Sequence, residues 1–221
     1  MYKRLTHTIV EEHFDHPMAA KIKAGLKNKS TRLESKVGRP TTEIFNETSF
    51  RQSADTYFNT FFMKINRISD SITETDDQLI TSFEDLFSVV WKVKDVFNPF
   101  YQAELGERVS NSFGHIGLTY TMIVHLLKAG LDTRMWENSI NLSSDAIANY
   151  ISRYNQFLDY FFVRTHIESF NNHLIERAKA IKSGDNAAKE LAENNARETL
   201  MKFKDSVVDG IIRQFPERFT R

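Results

Sequence analysis

Apolar side chains recur every three or four residues along most of the chain after Phe50, which is the periodicity of helices that bury one face. Two stripes come before residue 98, and each lies on a single helix face: Ala54, Phe58, Phe61, Ile65, Ile68 and Ile72 in one, and Leu79, Phe83, Leu86, Phe87, Val90, Val93 and Phe97 in the other. Alternating strand patterns are weak everywhere. The sequence therefore predicts an all-α fold, a bundle of about five to seven helices of which several are long.

Helix-capping residues predict several helix ends. Thr75 and Gln78 have the spacing of a capping box, in which each side chain accepts a hydrogen bond from the backbone N–H of the other residue. Pro99 ends the helix that they open. A further helix is predicted from about Glu104 to Ala129, and Gly130 suits the position just after it, where the backbone turns left-handed.

The stretch from Ser143 to Ser183 is predicted to be one long helix that begins at Ser143, Ser144 and Asp145, and Asp185 then caps a last helix. Its two halves place apolar residues on opposite faces: Ile147, Ile151, Tyr154, Leu158 and Phe161 in the first half, and Ile167, Phe170, Leu174 and Ile181 in the second. Either the helix breaks near residues 163–165, or its halves pack against different bodies, one of them a second subunit. Since no Gly or Pro marks a break, we favour the second explanation and expect a homodimer.

The composition excludes several classes of protein. Aromatic residues make up 12% of the chain, which is too many for a disordered protein. Because the chain has no cysteine, disulfide scaffolds, thiolate zinc sites, iron–sulfur clusters and cysteine nucleophiles are excluded. No window approaches the ~18 consecutive apolar residues of a membrane span, and the N-terminal residues lack the apolar core of a signal peptide. We therefore expect a cytoplasmic protein that does not enter the membrane.

Positive charge is concentrated at the N-terminus. Residues 1–40 contain nine Lys and Arg against four Asp and Glu, a net charge of +5, whereas the whole chain has 29 residues of each sign. We expect a basic, partly irregular arm with short helices over residues 1–48 and the helical bundle over residues 49–221. The arm's candidate nucleic-acid contacts are Lys21, Lys23, Lys27, Lys29, Arg32, Lys36 and Arg39.

One short motif within this arm is the tripeptide Gly38-Arg39-Pro40. The same tripeptide occurs in extended arms that place an arginine in a narrow minor groove, and flanking cations add attraction to phosphates. A solvated linker is the alternative interpretation of such a short motif.

Six histidines are candidate ligands. His13 and His16 are three residues apart, so they share a helix face and can bind one metal ion, although Pro17 also makes a solvated helix end plausible. His115, His125, His166 and His173 are further candidates for binding a metal, haem or another ligand.

Gly114 and Gly117 remove side chains from one face of the helix that carries His115 and His125. One explanation is a close crossing with a neighbouring helix. The other is room for a flat ligand such as haem, with His115 or His125 as its axial ligand. In this respect the segment resembles haem-oxygenase-like bundles, which also place helix glycines over the porphyrin.

Two further segments resemble the helical effector-binding domain of FadR-type GntR regulators. Residues 131–136, Leu-Asp-Thr-Arg-Met-Trp, are similar to that family's Asp-x-x-Phe-His helix, with Trp136 in place of the histidine. His173 followed by residues 180–185, Ala-Ile-Lys-Ser-Gly-Asp, is similar to the family's His…Ala-Ile-x-x-Gly-Asp segment. The resemblance implies that Asp132 and His173 are metal or effector ligands, whereas residues 1–50 show no winged helix.

Two hypotheses about function follow. In the first, the chain is a non-enzymatic helical regulatory or interaction protein, dimeric, whose basic arm contacts nucleic acid or another acidic surface. Its basis is the uneven charge and the two-faced segment at 143–183. In the second, the bundle is an enzyme or carrier that binds haem or a metal through its histidines.

Overall fold

The computed structural model describes residues 43–101 and 103–220, and in this part the chain is an all-α bundle, as predicted. Its helices are α1 (Glu47–Asp70), α2 (Asp76–Val90), α3 (Lys94–Phe97), α4 (Ala103–Ala129), α5 (Arg134–Tyr154), α6 (Tyr160–Ser183) and α7 (Asn186–Gln214). Three single 3₁₀ turns lie at Ser71–Thr73, Trp91–Val93 and Pro216–Arg218. The predicted basic arm falls mostly outside the described residues.

The helix caps predicted at Thr75, Gly130 and Asp185 are confirmed. Thr75 accepts a hydrogen bond from the backbone N–H of Gln78, and the Gln78 side chain accepts one from the backbone N–H of Thr75. Gly130 and Gly184 have φ angles of +71° and +74°, a region that favours glycine because it has no Cβ. Asp185 caps α7 by accepting from the backbone N–H of Ala188 at 2.9 Å. Capping therefore defines most of the helix boundaries.

The long helix predicted over 143–183 is wrong, and so is the placement of its start. The segment forms two helices, α5 and α6, with a turn at residues 155–159, not near 163–165. Ser143 and Ser144 are buried in the middle of α5 and do not cap it. Because the chain turns back at this point, each half buries its own face within one bundle, and the opposite faces no longer require a second subunit.

Consecutive helices from α4 to α7 pack against one another, and α1 and α2 complete the bundle. Five phenylalanines with no or almost no exposed surface meet at its centre: Phe58, Phe61, Phe113, Phe170 and Phe203. Phe61 and Phe113 pack edge to face with ring centroids 5.1 Å apart. Such pairs stabilise a core by about 1 kcal/mol beyond the area that they bury.

The two ends of the described chain meet at one end of the bundle. Two short strands, β1 (Phe45–Asn46) and β2 (Phe219–Thr220), pair in parallel with Phe45 opposite Phe219. Phe219 stacks on Phe100 at 5.2 Å, and Phe50 lies 5.3 Å from Phe219. We call this end, which also contains the turn at 155–159, the aromatic end.

Candidate interaction site

The turn between α5 and α6 is held rigidly by one buried amide. Asn155 Nδ2 donates to the Tyr101 hydroxyl at 2.8 Å, and Asn155 Oδ1 accepts from the Phe157 backbone N–H at 2.9 Å. Gln214 Nε2 donates to the Tyr154 carbonyl oxygen at 2.9 Å. Burial raises the pKa of the Tyr101 hydroxyl above its ordinary value. An asparagine that satisfies local backbone groups in this way favours a turn over a continuing helix.

The last helix packs directly beneath this turn. A Cβ atom at Gly210 would lie 2.9 Å from Asn155 Nδ2 and 3.0 Å from Leu158 Cγ, so only glycine allows α7 this close. Leu158 is buried between the turn and the bundle, and Asp159 starts α6 by accepting from the backbone N–H of Phe162 at 3.0 Å. Whereas Leu158 points into the bundle, the neighbouring phenylalanines point away from it and lie on the surface.

Three phenylalanines within six residues are exposed at this turn. Phe161 is 68% exposed, and Phe157 and Phe162 are each 37% exposed. The ring of Tyr160 packs edge to face against Phe161 at 5.2 Å, and the ring of Phe162 lies 4.0 Å from that of His166. We call Phe157, Phe161 and Phe162 the aromatic patch. Clustered exposed aromatic residues are uncommon on monomers and mark interaction surfaces.

Charges of both signs surround the aromatic patch. The Arg213 guanidinium lies 4.4 Å from the centre of the Phe157 ring. Arg164 forms an ion pair with Asp145 at 2.7 Å and lies 3.6 Å from Glu168. The hydroxyl of Tyr160 donates to Asp145 at 2.8 Å, and this hydrogen bond raises the pKa of Tyr160. The rim of the patch is therefore a mixture of cations and anions, unlike the single-sign field of a nucleic-acid surface.

The four predicted ligand histidines of the bundle lie on two helices, α4 and α6. His115 on α4 is 2.7 Å from the Ser143 hydroxyl of α5, and burial lowers the pKa of its imidazole. His125 is buried on the same helix, ten residues or about 15 Å of helix rise further on. On α6, His166 Nδ1 donates to the Phe162 carbonyl oxygen at 2.8 Å, and His173 Nδ1 is 2.9 Å from Glu176 Oε2.

No common metal site forms from these side chains. Within the described ranges, 43–101 and 103–220, no group of three or more His, Asp or Glu residues is arranged to hold a metal ion. Asp132, the other residue of the FadR-like resemblance, pairs with Arg134, and that guanidinium holds the pKa of Asp132 at about 2. His13 and His16 lie outside the described residues.

Gly117 serves a close helix crossing, the first explanation given for these glycines, whereas Gly114 leaves room for a Cβ. A Cβ at Gly117 would lie 2.6 Å from Leu86 Cδ2, and one at Gly114 would lie 3.6 Å from Phe87 and Val90 of α2. The side chains of α2 therefore occupy the space above these glycines that a porphyrin would need.

The predicted nucleic-acid contacts Lys21, Lys23, Lys27, Lys29, Arg32, Lys36 and Arg39 also lie outside the described residues. Comparison with family models, with curated proteins and with solved structures found no match to the chain. Among the helices described, none is both long enough and apolar enough to cross a bilayer.

Sequence reasoning missed the aromatic patch because it placed Phe161 on a buried stripe. The usable signal was polar: Asn155 and Asp159 are four residues apart, and a turn-forming asparagine followed by a helix-capping aspartate predicts a break without Gly or Pro. A break predicted at that point would have placed Phe161 in the first turn of a new helix, and Phe161 would then not have been predicted to be buried.

Proposed function

We propose that the protein is a non-enzymatic helical interaction protein that forms a homodimer through the aromatic patch. The observation that carries this proposal is the exposure of Phe157, Phe161 and Phe162 on a turn that buried hydrogen bonds hold in place. Completing the burial of a phenylalanine is worth about 1.5–3 kcal/mol when it is fully exposed at the start. A rigid patch binds without the entropic cost of ordering a loop.

A second copy of the chain is the partner that the surrounding charges favour. In a dimer with two-fold symmetry the same patch faces itself, so its rim must be complementary to itself. Arg164 lies beside Asp145 and Glu168 in this rim, and Arg213 lies over Phe157, so the rim offers cations and anions that can meet those of a second copy. The whole chain has no net charge, so two copies do not repel each other over long distances. The patch is small, and we expect a dimer with a dissociation constant of about micromolar size.

The direct test is sedimentation velocity of the full chain over concentrations from about 1 μM to about 1 mM, a range that brackets the expected constant. The double variant Phe161→Ser with Phe162→Ser should be monomeric throughout, because it removes two of the three patch rings. Leu191→Ser is the matched control: Leu191 is 63% exposed on the first half of α7, away from the aromatic end, and its loss should leave dimerisation unchanged.

Two results would contradict the proposed dimer. One is a wild-type chain that stays monomeric at the highest concentration. The other is a double variant that dimerises as the wild type does, since the contact would then lie elsewhere. Circular dichroism of all variants shows whether each remains helical.

The basic arm adds a nucleic-acid contact to this proposal, and we retain the prediction that the protein is cytoplasmic. A dimer carries two arms, so nucleic-acid binding should be stronger than for a monomer. Changing Lys27, Lys29, Arg32 and Arg39 together to alanine should weaken DNA or RNA binding and flatten its dependence on salt. Unchanged binding, or no binding of the wild type at physiological salt, would remove this part of the proposal.

A further inference from the structure

A cavity of about 220 Å³ opens beside the first half of α1 and the short helix α3. Its wall contains three aromatic rings, those of Phe45, Phe50 and Tyr57, together with Val96 and Pro99. Among the lining residues that the structure describes, Asp95 alone carries a carboxylate. This volume is below that of sites for drug-sized molecules, which begin at about 300 Å³.

Asp95 has no close partner for its negative charge within residues 43–101 and 103–220. Neither a hydrogen-bond donor nor a cation of this part of the chain lies within bonding distance of its carboxylate, and Lys94 and Lys92 act on it only at longer range. Asp95 is exposed, and the part of its carboxyl that the chain covers loses water, which raises its pKa against the opposing effect of Lys94 and Lys92. A cation placed in the cavity would reverse this loss.

The aromatic rings of the same region already attract a cation within the chain. The guanidinium of Arg218 lies 5.7 Å from the centre of the Phe45 ring and 5.5 Å from that of Phe100. Ring faces carry negative potential and bind ammonium and guanidinium groups at this range. Proteins recognise organic ammonium ions with aromatic rings and a carboxylate that line the same cavity.

We propose that this cavity binds a small organic ammonium ion, with the rings of Phe45, Phe50 and Tyr57 against its alkyl groups and the Asp95 carboxylate against its charge. The proposal does not depend on the homodimer, because the cavity residues are separate from the aromatic patch. The ligand that we propose is a cation small enough to fit inside the cavity.

The probe is choline, titrated into the full chain and followed by isothermal calorimetry and by NMR shifts of the aromatic protons. Its uncharged isostere 3,3-dimethylbutan-1-ol has nearly the same shape and should bind at least about tenfold more weakly, because it lacks the charge that the rings and carboxylate attract. Tetrabutylammonium has the charge but exceeds the cavity and should not bind there.

Asp95→Asn keeps the shape of the side chain and removes its charge, so choline should bind about tenfold more weakly. Glu190→Gln changes the net charge equally at an exposed position on the first half of α7, and choline affinity should be unaffected. The proposal is overturned if choline does not bind, if the isostere binds as tightly as choline, if tetrabutylammonium binds equally well, or if Asp95→Asn and Glu190→Gln have the same affinity as the wild type.

Discussion

The two ends of α6 differ in an unexpected way: a charged residue is buried at one end, and an apolar residue is exposed at the other. Near its C-terminal end, Arg177 is only 3% exposed, yet it binds Asp70 Oδ1 at 2.8 Å and Glu193 Oε2 at 2.9 Å. At its N-terminal end, Phe161 is 68% exposed although phenylalanine is among the residues most often buried. The charged group is enclosed and the apolar group is in water.

The enclosed arginine joins three helices. Its guanidinium also donates to the Asn66 carbonyl oxygen at 3.1 Å and to the hydroxyl of Ser69, so it contacts the last turn of α1 as well as α7. Because it is paired on several sides, this group serves stability and offers nothing to a partner. In the aromatic patch, by contrast, the backbone of the turn is hydrogen-bonded and the rings are exposed to water. Function at this molecule's surface is therefore expected at the N-terminal end of α6.

The largest expected effect is the loss of the buried arginine. Arg177→Leu should lower the free energy of unfolding by about 3 kcal/mol, because it leaves Asp70, Glu193 and a buried carbonyl without their donor. Arg134→Leu is the matched control, since Arg134 is exposed and, among the described residues, pairs with Asp132 alone, and its loss should be too small to resolve. Urea unfolding at one protein concentration gives both values. If both substitutions cost the same, burial of the ion pair does not matter and the contrast between the two ends fails.

The second prediction concerns the support of the aromatic patch. Gly210→Ala should destabilise the protein by about 2 kcal/mol, because its Cβ has no room beside Asn155 and Leu158. Gly114→Ala meets Phe87 and Val90 only at an ordinary 3.6 Å, so its better helix propensity should stabilise the protein by up to about 1 kcal/mol. A Gly210→Ala variant as stable as Gly114→Ala would show that the turn yields easily and is not a rigid platform.

These two regions also show what the sequence could predict. Apolar periodicity and capping residues were sufficient for the all-helical bundle and for the helix ends at Thr75, Gly130 and Asp185, because these signals depend only on nearby residues. The break at Asn155 was missed because only one partner of its side-chain amide, the Phe157 backbone N–H, is local in the sequence. Tyr101, to which it donates, and Gly210, against which it packs, are more than fifty residues away.

The candidate sites were harder to predict for the same reason. Whether Phe161 is buried or exposed depends on where α6 begins, and a difference of a few residues moves it to another face of the bundle. Arg177 carried no signal, because only the folded chain brings Asp70 and Glu193 to it. The close crossing at Gly117 was recognised, since a glycine inside a helix needs a reason on its own helix, but the same reasoning wrongly included Gly114.

The smallest expected effect comes from a group that is neither fully enclosed nor fully exposed. His115 contacts Ser143 between α4 and α5, and burial holds the pKa of its imidazole below the ordinary 6.5. The unfolded chain therefore takes up a proton at this site more readily than the native chain does. The stability that the neutral ring contributes is complete above pH 6.5 and is lost as the pH falls from there through the lowered native pKa. Acid should thus destabilise the wild type more than a His115→Gln variant.

Urea unfolding of both proteins at pH of about 7.5 and about 5 measures this difference, and subtracting the two isolates His115 from the chain's other titrating groups. His166→Gln removes a histidine from the surface near the aromatic patch and controls for the change of residue type. If wild type and His115→Gln lose equal stability in acid, this ring is hydrated in the native protein. In that case the α4–α5 contact resembles the exposed N-terminal end of α6 more than the enclosed arginine at its other end.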